Sequence, residues 1–586
     1  MNLGELITLL KKCIFLFDGR FKKGFIYIIF LTIILSFVEL IGIGIFIPLF
    51  LLLLEPNNKF ILEIKNLHPF LEQNYIFCTI FIIFIIFLGK FFLSLYINLK
   101  SNKYIFTLYE YITKKFFNFY ISQDYNYFHK KNTSEITRNI YSEMGILANQ
   151  IVFNSIQLIK NSFLILFTFI FLFYFDWAIT TIVSVIFLMF TYFYLKFFKK
   201  KLLIIGESIK NQSYEVLNDL SEIFLSIKEI KIFGLENFST HRFNNNFMRL
   251  SFNKRESLIF SFLPKIFLEF MSVILMLGII IFLLIMEISG NYIMIKLGIY
   301  AIAVIRITPA FVSIASSIQG ISLFIPSLDN INNELIKMEN LKVNENFNNI
   351  KLNNIQKIDK IESIEFKNVC FSYNKDKSIL KNINFSLKKG SLIALVGDSG
   401  SGKTTLADMM CGLVFPDSGI IKINEENSSR DINKELRKNI GYVTQSNFFF
   451  DDTIKANIIF GTVYNKDKEN ELLKKIISDS QIFSFIKELP DGLDTKIGQG
   501  GISLSGGQKQ RISIARSLYR CPSILILDEA TNALDEKNEE KIFEMIKIIK
   551  KEIIVILISH KKDLINHCDI VYELKDAKLY KKDLIY

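Results

Sequence analysis

LIALVGDSGSGKTTLADMM, residues 392–410, passes from apolar and β-branched residues through a glycine-rich turn into a helical pattern. Within it GDSGSGKT, Gly397–Thr404, has the G-x-x-x-x-G-K-[ST] spacing of a phosphate-binding loop, in the strand-then-helix setting which that spacing requires. Gly397, Gly400 and Gly402 let backbone amides approach phosphate oxygens, and the next helix turns its positive dipole end toward the same point. Lys403 is placed for the β- and γ-phosphates of a nucleotide and Thr404 for Mg2+. Asp398, Ser399, Ser401 and Thr405 complete the expected cradle. Taken alone, the pattern competes with a chance glycine-rich loop.

Three further stretches bear on the same chemistry. SILILDEATNALD (523–535) reads as a buried strand ending at Asp528–Glu529. An aspartate there is a Mg2+ partner in such sites, and Glu529 beside it could polarise an attacking water. IIVILISH (553–560) ends another apolar run at His560, whose imidazole could reach a γ-phosphate, although a lone histidine at a strand end is more often structural. ISLSGGQKQRIS (502–513) carries Gly506 and Gly507 after Ser505. Adjacent glycines suit neither a helix nor a strand interior, so they read as a turn that lays backbone N–H groups against an anion.

Outside these motifs the 586-residue chain divides near residue 330. It is 51% hydrophobic with 58 phenylalanines, which points to a membrane protein. Six apolar runs, roughly 24–54, 75–98, 151–175, 177–198, 257–286 and 292–318, are long enough to span a bilayer. The first is too long for a signal peptide and is expected to stay in the membrane. The expected domains are 1–330 transmembrane, 331–360 a polar linker, and 361–586 a soluble α/β nucleotide-binding domain. Lys11, Lys12, Arg20, Lys22 and Lys23 precede the first run, and 99–150 and 199–256 are Lys-rich, whereas the other connections are poor in basic residues. The positive-inside rule therefore places both termini and the soluble domain in the cytoplasm. That orientation also accounts for the net charge of +12, and nucleic acid is not an expected partner. The six cysteines lie far apart with no CxxC pair and read as reduced thiols.

Together with LSGGQ (504–508), the motif set resembles the ATP-binding cassette family across residues 360–575. The resemblance implies ATP and Mg2+ as ligands. It makes Tyr373 in VCFSYNK the adenine-stacking residue, and Gln445 in GYVTQSN a sensor of Mg2+ and of the membrane domain. Asp528 becomes a Mg2+ partner, Glu529 the general base and His560 the switch histidine. Ser505, Gly506, Gly507 and Gln508 become the signature that closes over ATP held by a second cassette, with Asp535 contacting across that dimer. One site set per chain implies half of a machine, and its intact residues imply a homodimer. Asn532 and Gln499 depart from the commoner family residues and bear on coupling. Six spans followed by one cassette resemble the ABC exporter half-transporter over the whole length.

The membrane half bears on the cargo. Lys90, Lys160, Lys265 and Arg306 lie inside the apolar runs with Glu39 and Glu269. A basic residue at the bilayer centre costs about 2.5–3.5 kcal/mol on insertion scales. A ring of such charge would suit a multiply charged anion, and Lys–Glu pairing (Lys265 and Glu269 are i,i+4) or snorkelling is the blander alternative. PKIFLEF (264–270), AVIRITPA (303–310) and FHKKNTSEI (128–136) resemble segments of bacterial flippases for lipid-linked oligosaccharides. By that resemblance Lys90, Lys265 and Arg306 meet the lipid pyrophosphate. Phe60, Ile61, Ile64, Leu67 and Leu71 fall near helical spacing and read as a short amphipathic helix, either lying in the outer interface or packed on neighbouring spans. The expected function is ATP-driven flipping of a polyprenyl-pyrophosphate-linked oligosaccharide across the bacterial inner membrane. The alternative is export of drugs, peptides or lipid A-type glycolipids. A gated channel without pumping has no need of Glu529 as a base.

Overall fold

The computed structural model describes residues 19–54, 69–285, 290–349, 360–373, 378–424, 426–427, 436–445, 447–462, 466–498, 501, 503–530 and 536–582. They form two compact units. One holds the described residues up to Phe347 apart from Asp124–His129, and the other holds Asp124–His129 with the described residues from Asn348 onward.

The first unit is helical. Its principal elements are Gly19–Gly44, Phe46–Leu54, Pro69–Ser122, Phe153–Phe175, Trp177–Leu225, Glu236–Ile285 and Gly290–Asn349. Five helices among the described residues are long and apolar enough to cross a membrane, and Trp177–Met189 is a shorter apolar stretch within Trp177–Leu225. Large side chains such as Phe77, Phe81, Phe84 and Leu188 point away from the protein and are exposed. In water such a surface would be untenable, but in lipid it is the favoured arrangement. The first expected span is in fact two helices, which meet at Ile45. Helices of 49 to 60 residues run about 75–90 Å at 1.5 Å per residue, well beyond a hydrocarbon core of about 30 Å. The last of them, Gly290–Asn349, contains Pro309 and Pro326 and continues through residues 331–349 of the expected linker. At the turn between the third and fourth runs, Asp176 caps Trp177–Leu225 by accepting from the amides of Ala178 and Ile179. It also pairs with Lys296 Nζ at 2.7 Å.

The second unit carries two sheets. Strands β1 (Ser363–Phe371), β2 (Leu380–Lys388), β4 (Ser418–Ile423) and β5 (Glu426–Asn427) form an antiparallel sheet in the order β2-β1-β4-β5. Strands β3 (Leu392–Val396), β6 (Ile440–Val443), β7 (Ile524–Asp528), β8 (Ile554–Ile558), β9 (Ile570–Lys575) and β10 (Lys578–Lys582) form the other, in the order β10-β9-β3-β8-β7-β6. All its pairings are parallel except β9 with β10. Strands β7 and β8 are buried throughout, as their unbroken apolar runs require of central parallel strands. Because β3, β8, β7 and β6 are parallel neighbours, their carboxyl ends lie side by side. Ligands of open α/β sheets bind at that edge.

Candidate functional site

The sheet edge gathers, in spatial order, the loop after β3, His560 after β8, Asp528–Glu529 at the end of β7 and Gln445 after β6. These four segments are 31 to 163 residues apart along the chain, and the strand order alone brings them together.

In the loop after β3 the glycines are obligatory. Gly397 has φ +149°, and a Cβ there would lie 2.4 Å from the Leu574 carbonyl oxygen. Gly402, at φ +106°, would meet Ile379 Cγ2 at 2.9 Å. The helix Lys403–Met410 starts directly after it. Lys403 is 8% exposed, and its ammonium donates to the carbonyls of Gly397 (2.7 Å) and Asp398 (2.9 Å), so it is held over the loop. Ser401 Oγ is buried without a hydrogen-bond partner, and Thr404 is exposed in the first helical turn. A fixed ammonium, an unsatisfied hydroxyl and a helix start form a donor set that fits a triphosphate, and Thr404 and Asp528 carry the kind of oxygen ligands that a hard cation takes.

Asp528 is 6% exposed and accepts from Tyr442 OH at 3.1 Å. Burial raises its carboxyl above the ordinary aspartate range, against the Tyr442 bond and the nearby Lys403 charge, which both lower it. A buried carboxylate held this way gains most from a cation arriving beside it. Glu529 follows in the left-handed region, φ +50°, with its amide donating to Ile558 O at 2.9 Å. Its side chain accepts from Gln445 Nε2 at 2.9 Å and lies 3.7 Å from His560 Nε2. The three side chains named for catalysis therefore converge on one point, with Glu529 in the middle. Tyr373 packs edge-on against Phe371, ring centroids 4.9 Å apart, two residues past the end of β1 in the antiparallel sheet.

The signature differs from its expectation. Gly506 and Gly507 open the helix Gly506–Tyr519 rather than form a turn. Ser505 is its N-cap, in a capping box: Ser505 Oγ accepts from the Gln508 amide (3.3 Å) and Gln508 Oε1 accepts from the Ser505 amide (2.8 Å). The helix tolerates two glycines because they sit in its first turn, where a cap supplies the hydrogen bonds. The S-x-x-Q spacing was the available signal. Sequence reading also missed Arg516, which ties this helix to the segment after Gln445. Its Nε donates to Asn457 O (2.8 Å), Nη2 to Asn457 Oδ1 (2.9 Å) and Nη1 to Phe448 O (2.8 Å). The guanidinium lies 4.9 Å from the ring centres of both Phe449 and Phe460, and burial followed by the nearby Arg520 lowers it to about 10.

In the membrane unit Lys90 lies within electrostatic reach of Glu39, Arg306 and Lys160, with its ammonium 5.6 Å from the Phe87 ring centre. Lys265 is placed otherwise: it is 61% exposed, at 4.0 Å from Glu269 on its own helix. Lys90 and Arg306 thus come together with Lys160, and Lys265 forms the local i,i+4 pair instead. Asp535, Asn532 and Gln499 fall outside the described residues, as does the expected amphipathic stretch through Leu67, while its last member, Leu71, lies in the helix Pro69–Ser122.

A nucleotide-hydrolysing sheet edge on the same chain as a helical membrane domain defines an ATP-driven membrane transporter. Residues 380–532 match the ABC transporter family model and residues 26–305 the ABC transporter transmembrane region. A Rickettsia bellii protein that bears the name export ATP-binding/permease protein is 31% identical over 499 residues, covering 83% of this chain and 82% of that one. The ATP-dependent lipid A-core flippase of Pasteurella multocida is 40% identical over 219 residues, 37% of each chain. A bacterial Atm1-family ABC exporter solved with ATP bound has the same fold, with TM-score 0.73, 20% identity, and coverage of 96% of this chain and 95% of that one. The chain belongs to the ABC transporter family. It is a multi-pass exporter half-transporter that hydrolyses ATP to drive transport.

Proposed function

We propose that this exporter flips a lipid with an anionic head group, specifically a polyprenyl-pyrophosphate-linked oligosaccharide, to the outer leaflet of a bacterial inner membrane. The observation that carries the reading is that Arg306, Lys160 and one carboxylate, Glu39, all lie within electrostatic reach of Lys90. Three positive charges against one negative leave a formal +2 in this group, which attracts a pyrophosphate and repels cationic drugs. Export of a lipid A-type glycolipid is the second reading, favoured by the Pasteurella multocida relative's name and by the phosphates of such lipids.

Lys403 and the amides after Gly397 would hold the β- and γ-phosphates of ATP, Thr404 and Asp528 would hold Mg2+ with Gln445 nearby, and Tyr373 would stack on adenine. Bound there, Mg2+ would offset charge on the transferred phosphoryl group. Glu529 takes the proton of the attacking water, with His560 and Gln445 fixing its carboxylate. Two copies complete two sites, each with the Ser505–Gln508 face and Asp535 of one chain over the nucleotide of the other. The exposed apolar tip of the second inner connection, Phe224, Leu225, Ile232 and Phe233, supports docking on a cassette from the cytoplasmic side.

The test is ATP-dependent flipping in proteoliposomes, using a labelled polyprenyl-pyrophosphate oligosaccharide and, in parallel, a lipid A-type glycolipid, with Glu529→Gln as control. Movement of the first, lost in Glu529→Gln and in a Lys90→Gln/Arg306→Gln variant that keeps its ATPase, supports the reading. Movement of the glycolipid alone replaces it with the second.

A further inference from the structure

We propose that Glu334 is a positioning residue that makes the first inner connection and the last membrane helix move together. It goes beyond the reading of the cargo and does not depend on it.

Glu334 lies on the helix Gly290–Asn349 and is 3% exposed. One carboxylate oxygen takes Lys131 Nζ at 3.0 Å and the other takes Tyr120 OH at 3.3 Å. Tyr120 OH in turn accepts from Asn139 Nδ2 (3.1 Å), and Asn139 Oδ1 accepts from Asn330 Nδ2 (3.2 Å). Asn330 and Glu334 are one helical turn apart, so the bonds form a closed circuit that leaves the last helix, crosses two other segments and returns to the same helix face. Lys131 also lies 3.3 Å from Glu135.

The circuit's position gives it a role. Asp124–His129 groups with the cassette unit, and Lys131 follows two residues later in the membrane unit. Tyr125, in the first of these groups, is raised above the ordinary phenol range by burial and then by Asp408 and Tyr373 of the cassette. On the other side of Lys131 the chain enters two π-helical segments, Asn139–Glu143 and Leu147–Val152, separated by Met144–Ile146. Such underwound turns are rare and mark places where a helix can change its winding. Here Arg138 and Glu143 form a second buried pair, 3.4 Å apart, with Arg138 Nε and Glu143 Oε2 left without a hydrogen bond. A buried ion pair contributes little net stability against an apolar pair of the same shape, but removing one partner leaves a costly charge. The Lys131–Glu334 pair thus fixes geometry more than it adds stability, between the segment that follows Asp124–His129 and the last helix of the membrane unit.

The experiment is amide hydrogen exchange on the full-length protein in nanodiscs, with ATP, Mg2+ and vanadate as the only probe and no cargo. In the wild type, peptides covering 120–139 and 325–336 should change protection together on trapping. In Glu334→Gln the first should still respond, while the response of the second falls at least about threefold and ATP turnover persists. Lys131→Met should do the same, and the double variant should be no worse than either single, since both remove one interaction. Additive losses, or a full response of 325–336 in Glu334→Gln, would overturn the proposal. Should those variants not fold, Tyr120→Phe, which removes the bonds to Glu334 and Asn139 but no charge, decides: a reduced response supports it and an unchanged one refutes it. Because no cargo is present, neither outcome bears on the flippase reading.

Discussion

Arg516→Ala tests whether the signature helix and the segment after Gln445 are held as one piece. The substitution removes three hydrogen bonds from a charged donor. The bond to Phe448 O is exposed, so water replaces it and it counts for little. Asn457 is 1% exposed, and its carbonyl loses a buried charged donor, while its Oδ1 keeps the Phe450 amide at 3.0 Å. Two bonds at the lower end for charged donors, about 1.5 kcal/mol each, give about 3 kcal/mol. At 1.4 kcal/mol per tenfold, local opening should become roughly a hundred times more populated. Amide exchange of peptides covering 447–460 in the full-length protein reads this directly. Arg516→Lys keeps the charge but only one bond direction and should fall between, near tenfold. Exchange within about threefold of wild type in Arg516→Ala would mean that the arginine does not hold this segment, and the reasoning from buried acceptors would fail.

Glu529→Gln should lower ATP turnover by about a hundredfold or more while ATP still binds, as measured by steady-state hydrolysis and nucleotide retention. Gly397→Ala should abolish ATP binding in filter assays, because its Cβ would overlap the Leu574 carbonyl oxygen and its backbone is already at φ +149°, a strain of about 1–3 kcal/mol before any clash. Burial raises the Asp176 carboxyl, but the Lys296 pair and two amides outweigh it and hold the carboxyl below the usual aspartate range. A depressed acid contributes stability that is present above the ordinary aspartate pKa and is lost as pH falls through the folded value. Asp176→Asn should therefore lower the thermal midpoint at neutral pH, and its difference from the wild type should shrink as pH falls below the ordinary aspartate range. The fluorescence of Trp177, the single tryptophan and its direct neighbour, follows the transition.

What the sequence makes legible is what short stretches encode. Gly397–Thr404 and Ile524–Glu529 are local: a strand, a turn or a cap, and the residue types their chemistry needs. Even the signature was readable, since Ser505 and Gln508 carry the capping spacing, but the two glycines drew attention to a turn. Tyr442 with Asp528 and Arg516 with Asn457 join positions 86 and 59 residues apart, and no periodicity marks them. The same holds in the membrane half. Sequence distance along each run suggested a ring that included Lys265; its i,i+4 pairing with Glu269 was legible as the alternative, whereas only helix rotation brings Lys160 within reach of Lys90. Packing chooses the rotation, and packing involves several helices at once.

The helix Gly290–Asn349 acts over a distance that its residues do not individually span. From Pro309, a point where a helix bends readily, to Asn349 is about 60 Å at 1.5 Å per residue. A change of roughly 5° in the bend there would swing the far end by about 5 Å, close to one helical pitch. A small rearrangement around Pro309 is thereby magnified into a displacement the size of a whole helical turn, and a push at the far end is demagnified, with greater force, on its way back.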